Sequence, residues 1–144
     1  MRDAIYLAGL VDGDGSIFIS KRYKENSAKN HGRYRLFLSV TNNNKVLLNY
    51  LYRTWKQGIV YWDSKNYKAG HITWEGPKAQ TVIRKILPFL VGKRNQAKLA
   101  LKYVFVGRGQ KANTKAQATS FTQMRRLNQR WSMGKTRKDA LRAI

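Results

Sequence analysis

Between Leu10 and Ile17 the spacing of apolar side chains changes, and this change limits the fold more than any other feature of the chain. Up to Val11 the spacing is helical. Leu7, Leu10 and Val11 share one side of a predicted helix over residues 3–11, and Ile5, Ala8, Gly9 and Asp12 share the other. From Ser16 to Lys24 the interval is two: Ile17 and Ile19 point one way, and Phe18, Ser20, Arg22 and Lys24 point the other. Gly13 and Gly15 stand at the changeover and are read as the helix stop. Two aspartates, Asp12 and Asp14, occupy the same few positions.

The alternation resumes after a polar loop over residues 25–32. Arg33, Arg35, Phe37, Ser39 and Thr41 alternate with Tyr34, Leu36, Leu38 and Val40, so the two strands form a long hairpin with one basic, polar face. Asn42, Asn43 and Asn44 supply N-cap candidates for a helix carrying Leu47, Leu51 and Trp55, with Gly58 as its stop. Residues 59–65 and 71–75 read as a second hairpin. Pro77 suits the first position of a helix with an apolar stripe of Val82, Ile83, Ile86 and Leu87, which Pro88 closes or kinks. Further helices are expected over roughly 95–106 and around Phe121, Met124, Leu127 and Trp131. A basic loop over 107–117 separates them, and a basic tail follows. The order α-β-β-α-β-β-α-α-α, without a repeat or a splitting linker, predicts one α+β domain over residues 1–144. It has a four-stranded antiparallel sheet with helices on one face.

Charge narrows the function. The chain carries 29 Lys and Arg against 7 Asp and Glu, a formal net charge of +22 over 144 residues. Such a surface favours a polyanion, and the interleaving of basic and aromatic residues selects nucleic acid over a membrane surface. Hydrophobic residues make up 42% of the sequence, enough for a core, which argues against disorder. Cysteine is absent, which excludes disulfides, thiolate metal sites and a cysteine nucleophile. The two histidines, His31 and His71, do not suggest zinc. No secretory leader or membrane-length segment is read, so the expected setting is intracellular: an organelle (chloroplast or mitochondrion) or a bacterial cytoplasm. The four tryptophans are read as core, Trp62 excepted for its place beside a reading face.

Gly9 and Gly13 lie four apart, with Ala8 beside Gly9. Small residues at that spacing let two helix backbones approach closely, whether in the same chain or in another. Asp14 is thereby delivered to the end of a packed helix. A carboxylate beside glycine carbonyls can ligate Mg²⁺ or Ca²⁺ there. Asp12 is read either as a second ligand or as a hydrogen-bonding group at the helix end or interface.

The nine residues Leu7-Ala8-Gly9-Leu10-Val11-Asp12-Gly13-Asp14-Gly15 resemble the LAGLIDADG motif of homing endonucleases, with Val11 in place of Ile and Gly13 in place of Ala. The element order is similar along the chain, and the stretches PFLVGKRNQAKLALK and KTRK also resemble the single-motif, homodimeric class. The resemblance implies an αββαββα core with extra C-terminal helices. It implies a homodimer whose motif helices pack on a two-fold axis through Ile5, Ala8, Gly9 and Asp12. It further implies metal-dependent hydrolysis of both strands of a long, near-palindromic DNA target across the minor groove, leaving short 3′ overhangs. Carried over by position, Asp14 holds metal with the Gly13 carbonyl, Asn42 orients water, and Lys93 stabilises charge near the scissile phosphate. Mg²⁺ is the expected cofactor; Mn²⁺ is expected to be active and Ca²⁺ to bind without efficient cleavage. A further basic residue expected on the second helix is replaced by Val46, with Lys45 adjacent. Base reading is expected from Ser20, Arg22, Lys24, Arg33, Arg35, Ser39, Tyr61, Asp63 and Lys65, and phosphate contacts from Lys135, Arg137 and Lys138. The alternative reading is an RNA maturase, or an RNA-binding protein assisting intron splicing.

Overall fold

The structure is a computed structural model, and it describes residues 1–22, 33–63, 69–106 and 114–132. The described elements follow in the order α1 (Arg2–Asp14), β1 (Gly15–Arg22), β2 (Arg33–Asn42), α2 (Lys45–Trp55), β3 (Ile59–Trp62) and β4 (Gly70–Glu75). Then come α3 (Pro77–Ile86), a 3₁₀ turn (Leu87–Phe89), α4 (Arg94–Leu101) and α5 (Thr114–Ser132). The sheet is antiparallel with strand order β1-β2-β4-β3, so the two hairpins meet through β2 and β4. The α+β expectation holds along the described residues.

Period-two alternation decides which side of the sheet each strand buries. Ile17 and Ile19 of β1, Leu36, Leu38 and Val40 of β2, and Ile72 and Trp74 of β4 are buried. Against them pack Leu7 and Val11 of α1, Leu48 and Leu51 of α2, Val82, Ile83 and Ile86 of α3, Ala97 and Ala100 of α4, and Met124 of α5. Each fully buried large apolar side chain contributes about 1.5–3 kcal/mol by leaving water. Residues between the buried ones, from Phe18 to Glu75, line the opposite face.

Several boundaries differ from the sequence reading. Helix α1 does not stop at Gly13; it continues through Asp14, and β1 starts on the next residue. Gly15 makes that abrupt exit possible. A Cβ there would lie 2.5 Å from the Val11 Cα and 3.1 Å from the Ser39 carbonyl oxygen. The buried stripe of α2 runs through Leu48 and Leu51, with Leu47 and Trp55 at its margins, and Asn44 caps it by accepting from the Val46 and Leu47 amides. Pro88 lies inside the 3₁₀ turn rather than ending a helix cleanly. Helix α4 ends at Leu101, earlier than expected, because the Gln80 side chain donates to the carbonyls of Ala100 (2.8 Å) and Tyr103 (3.0 Å). Helix α5 starts at Thr114, inside the predicted basic loop. Its buried Gln117 donates to the Val104 carbonyl at 3.1 Å.

Candidate metal centre and nucleic-acid interface

The C-terminal end of α1 gathers the expected catalytic residues. Asp14, the last residue of the helix, is exposed, and the Asn42 side-chain amide donates to its Oδ2 at 3.3 Å. Asn42 is held from behind, because the Asn44 amide donates to its Oδ1 at 2.9 Å. Lys93 approaches from the turn before α4 and donates from Nζ to the Asp12 carbonyl at 2.7 Å. Burial lowers the Lys93 pKa from its ordinary value, and the charges of Asp12 and Asp14 oppose that shift. Asp14, Asn42 and Lys93 are thus brought together from three elements more than 25 residues apart in sequence.

Asp12 is a hydrogen-bonding group at the helix end, one of the readings its position in the sequence allowed. Its carboxylate accepts from the Val91 amide (2.7 Å) and the Lys93 amide (2.8 Å), which anchors the turn carrying Lys93. Ala8 leaves the interface set, because it is fully buried in the chain's own core. Gly9 and Gly13 do the opposite. An added Cβ at either would meet nothing within 4 Å, and Ile5 beside them is half exposed. Glycine inside a helix costs about 1 kcal/mol relative to alanine, and no contact among the described residues explains either one. An open groove of about 950 Å³ continues this face, lined by Ile5, Tyr6, Val46 and Tyr50. Val46 is largely exposed. Lys45 lies with its ammonium over the Trp62 ring, 5.5 Å from the centroid, and so does not fill the missing basic position near Asp14.

Among the described residues no group of three or more His, Asp or Glu side chains could hold a metal. One chain offers the Asp14 carboxylate and the backbone oxygens at the helix end. These are hard donors of the kind that suit Mg²⁺ or Ca²⁺.

The open sheet face carries the reading candidates in register. Arg33 is exposed, and its cross-strand partner is Arg22; Ser20 faces Arg35. Arg35 pairs with Glu75 at 2.8 Å. Tyr61 is half exposed and stacks on His71 with centroids 4.8 Å apart, and Asp63 is exposed with its amide bonded to the Ala69 carbonyl. Ser39 departs from expectation. It is buried, with its hydroxyl 3.1 Å from that of Thr73, so it supports the face rather than presenting a group to a ligand. Trp62 lies on the core side, not beside the reading face. Lys24, Lys65, Lys135, Arg137 and Lys138 lie outside the described residues. Sequence reasoning missed Phe18 and Phe37, which stack across the β1–β2 pair with centroids 5.2 Å apart, and His71, whose ring meets the Thr41 hydroxyl at 2.9 Å. The signal for His71 was present in the alternation of His71, Thr73 and Glu75 with the buried Ile72 and Trp74. The face is therefore mixed aromatic, hydroxyl and basic rather than uniformly positive.

The open glycines of α1 thus lie beside an exposed aspartate at the helix end, and a four-stranded antiparallel sheet follows directly from it. Residues 7–105 match the model of the LAGLIDADG endonuclease family. The chain belongs to that family of endonucleases. Comparison with curated proteins gives no match. Among solved structures, the homing endonuclease I-CvuI, in complex with its target in the presence of 2 mM Ca, is similar at TM-score 0.64 and 20% identity, covering 85% of this chain and 94% of that one. The archaeal intron-encoded homing endonuclease I-Vdi141I, complexed with DNA, is similar at TM-score 0.60 and 11% identity, covering 88% and 97%. The meganuclease I-SmaMI, bound to uncleavable DNA, is similar at TM-score 0.57 and 22% identity, covering 88% of this chain but 43% of its own. At these identities the likeness is one of fold.

Proposed function

We propose that two copies of this chain form a C₂ dimer that cuts both strands of a long, near-palindromic duplex, each copy contributing one Asp14. The observation that carries the reading is the empty glycine face of α1, which ends on that exposed carboxylate. A second α1 laid against Gly9 and Gly13 brings two Asp14 side chains together. The match to less than half of the longer I-SmaMI chain agrees with a subunit that supplies one half of such an enzyme.

The residues of the chain have separable tasks. Asp14 and the Gly13 carbonyl would hold the divalent ion, which when bound supplies Lewis-acid stabilisation of the scissile phosphate and a more acidic water. Asn42 fixes the Asp14 carboxylate by its amide N–H. Its carbonyl oxygen is taken by the Asn44 amide, so its orientation is set before substrate arrives. Lys93 places a cation at the same end of the helix, where it can offset charge on the phosphate. The outer sheet face lies along the major groove, with Arg33, Arg35, Tyr61 and Asp63 presented to base edges. Mg²⁺ is the proposed cofactor; Mn²⁺ is proposed to replace it, and Ca²⁺ to support binding with little turnover.

The test is cleavage of a randomised near-palindromic DNA library with Mg²⁺, and separately with EDTA, alongside sedimentation of the wild type and Gly9→Leu. Metal-dependent double-strand cleavage by a dimer is expected, with Gly9→Leu monomeric and unable to bind its target tightly. A monomeric wild type that still cuts both strands of one site would overturn the dimer.

A further inference from the structure

The sheet face does not account for the charge on the helical side. From Gly76 to Lys138 the sequence contains no aspartate or glutamate, yet α3 alone exposes Lys78, Arg84 and Lys85. The side chains of α3 that point away from the sheet cannot reach a duplex lying on the sheet's other face. Like charges without neighbours of opposite sign repel each other and cost stability unless an anion comes between them.

One place on that side is shaped to receive an anion. A groove of about 250 Å³ runs between the C-terminal end of α2 and the flank of α3, and its lining includes Lys56, Lys78 and Lys85 with Thr54, Gln57 and Thr81. None of the three lysines forms an ion pair among the described residues. Two further observations fall on the same groove. Lys56 (φ 23°) and Gln57 (φ 63°) are the only non-glycine residues with positive φ among the described residues. Trp55, which also lines the groove, has an Nε1 that is buried without a hydrogen-bond partner. Strained backbone of this kind costs about 1–3 kcal/mol per residue and persists at sites where geometry matters more than stability. The Trp74 indole contributes to holding it, donating to the Lys56 carbonyl at 3.2 Å.

We propose that the α2–α3 groove binds a phosphate group, from the backbone of a second nucleic-acid segment or from a free phosphate ester, while the sheet face holds the DNA to be cut. Lys56, Lys78 and Lys85 supply the charge, and Gln57 supplies a neutral donor. The volume suits a phosphate and its ester flank rather than a larger cofactor. No exposed aromatic side chain lines the groove, so it holds by charge and carries no base preference. The proposal does not depend on the dimer or on the identity of the cleaved target.

The test follows the indole N–H resonances of Trp55 and Trp74 during titration with inorganic phosphate, a short RNA duplex and a short DNA duplex of unrelated sequence. Lys78→Gln/Lys85→Gln is the variant, glutamine being a good helix former. Phosphate is expected to shift both resonances in the wild type and much less in the variant. If the duplexes compete with phosphate there, the occupant is a nucleic-acid backbone, and the salt slope of that binding falls by about two units in the variant. If neither duplex competes, the occupant is a free phosphate ester. A second variant, Lys56→Gly, removes a charge where glycine suits the backbone, so it should melt higher than wild type and bind phosphate more weakly. Wild-type DNA cleavage by Lys78→Gln/Lys85→Gln is expected and separates this site from the endonuclease centre. Resonances that respond to none of the three probes, or that respond equally in the variant, overturn the proposal.

Discussion

The C-terminal end of α1 and the open face of the sheet both keep polar side chains at the surface, but they hold them differently. At the helix end most partners are backbone groups. Asp12 takes the amides of Val91 and Lys93, Lys93 takes the Asp12 carbonyl, and Asn42 is braced by the Asn44 amide. Backbone partners cannot leave, so this end is set before any ligand arrives. On the sheet the partners are other side chains: Arg35 with Glu75, Thr41 with His71, Ser39 with Thr73. The Arg35–Glu75 pair is worth about 0–1 kcal/mol and can exchange a protein partner for a base edge, as can the exposed Thr41–His71 pair, whereas the buried Ser39–Thr73 bond supports the face from beneath. Chemistry is given a rigid end and recognition an adjustable one.

The contrast breaks most sharply at the two aspartates. Asp14→Asn should lower cleavage by roughly 10³-fold or more, a loss of about 4 kcal/mol in transition-state stabilisation, because the amide is a poor metal ligand. Its melting temperature should barely change, since among the described residues the exposed carboxylate takes one long hydrogen bond, from Asn42. Asp12→Ala should do the reverse in kind. Losing two charge-assisted bonds to amides should destabilise the fold by about 2 kcal/mol, and cleavage should fall because the turn positioning Lys93 loosens. Thermal melts and single-turnover cleavage on the same two proteins separate the outcomes. An Asp12→Ala protein that melts like wild type would show that the turn is held by something else.

That pair also measures how far the sequence could be read. The helix, the strands and the position of Asp14 were legible because they rest on local periodicity and on a motif. Asp12 was legible as a hydrogen-bonding group at the helix end, but its partners were not: they are amides 79 and 81 residues away, and no local pattern reports where a distant turn docks. Ala8 was misplaced for a related reason: helical spacing shows that Ala8 and Gly9 lie near one face, but not which of them meets the chain's own core. Ser39 and Arg35 were placed on the correct face by alternation, whereas their partners Thr73 and Glu75 depend on the β2–β4 register, which alternation leaves open.

The rigid end should also leave a mark in pH. Burial holds the Lys93 pKa below its ordinary 10.5, so in the window just under 10.5 the unfolded chain keeps a proton that the folded chain has lost. Unfolded binding then exceeds native binding, and stability rises with pH through that window. Cleavage should move the opposite way, losing the cation as Lys93 deprotonates. The alkaline limb of the pH–rate profile should begin below the ordinary lysine range, and Lys93→Arg, which keeps its charge, should move it upward. An unchanged limb in Lys93→Arg would assign it to another group.

The smallest effect tests the adjustable face. Arg35 and Glu75 are each 41% exposed, so breaking their pair by Glu75→Gln should change stability by less than about 1 kcal/mol. Binding should respond in one of two distinguishable ways. If Arg35 turns to a base edge when DNA arrives, Glu75→Gln should tighten binding to the preferred target. Arg35→Ala should then cost about 1–3 kcal/mol at one base pair of each half-site. If Arg35 turns to phosphate, Glu75→Gln should tighten all sequences alike, and Arg35→Ala should lower the salt slope by about one unit without altering base preference. Titrations over salt on the target and on its single-base variants distinguish these. Should neither substitution alter affinity, slope or preference, the pair stays closed on DNA, Arg35 is structural, and the exposed Arg33 becomes the described arginine that does the reading.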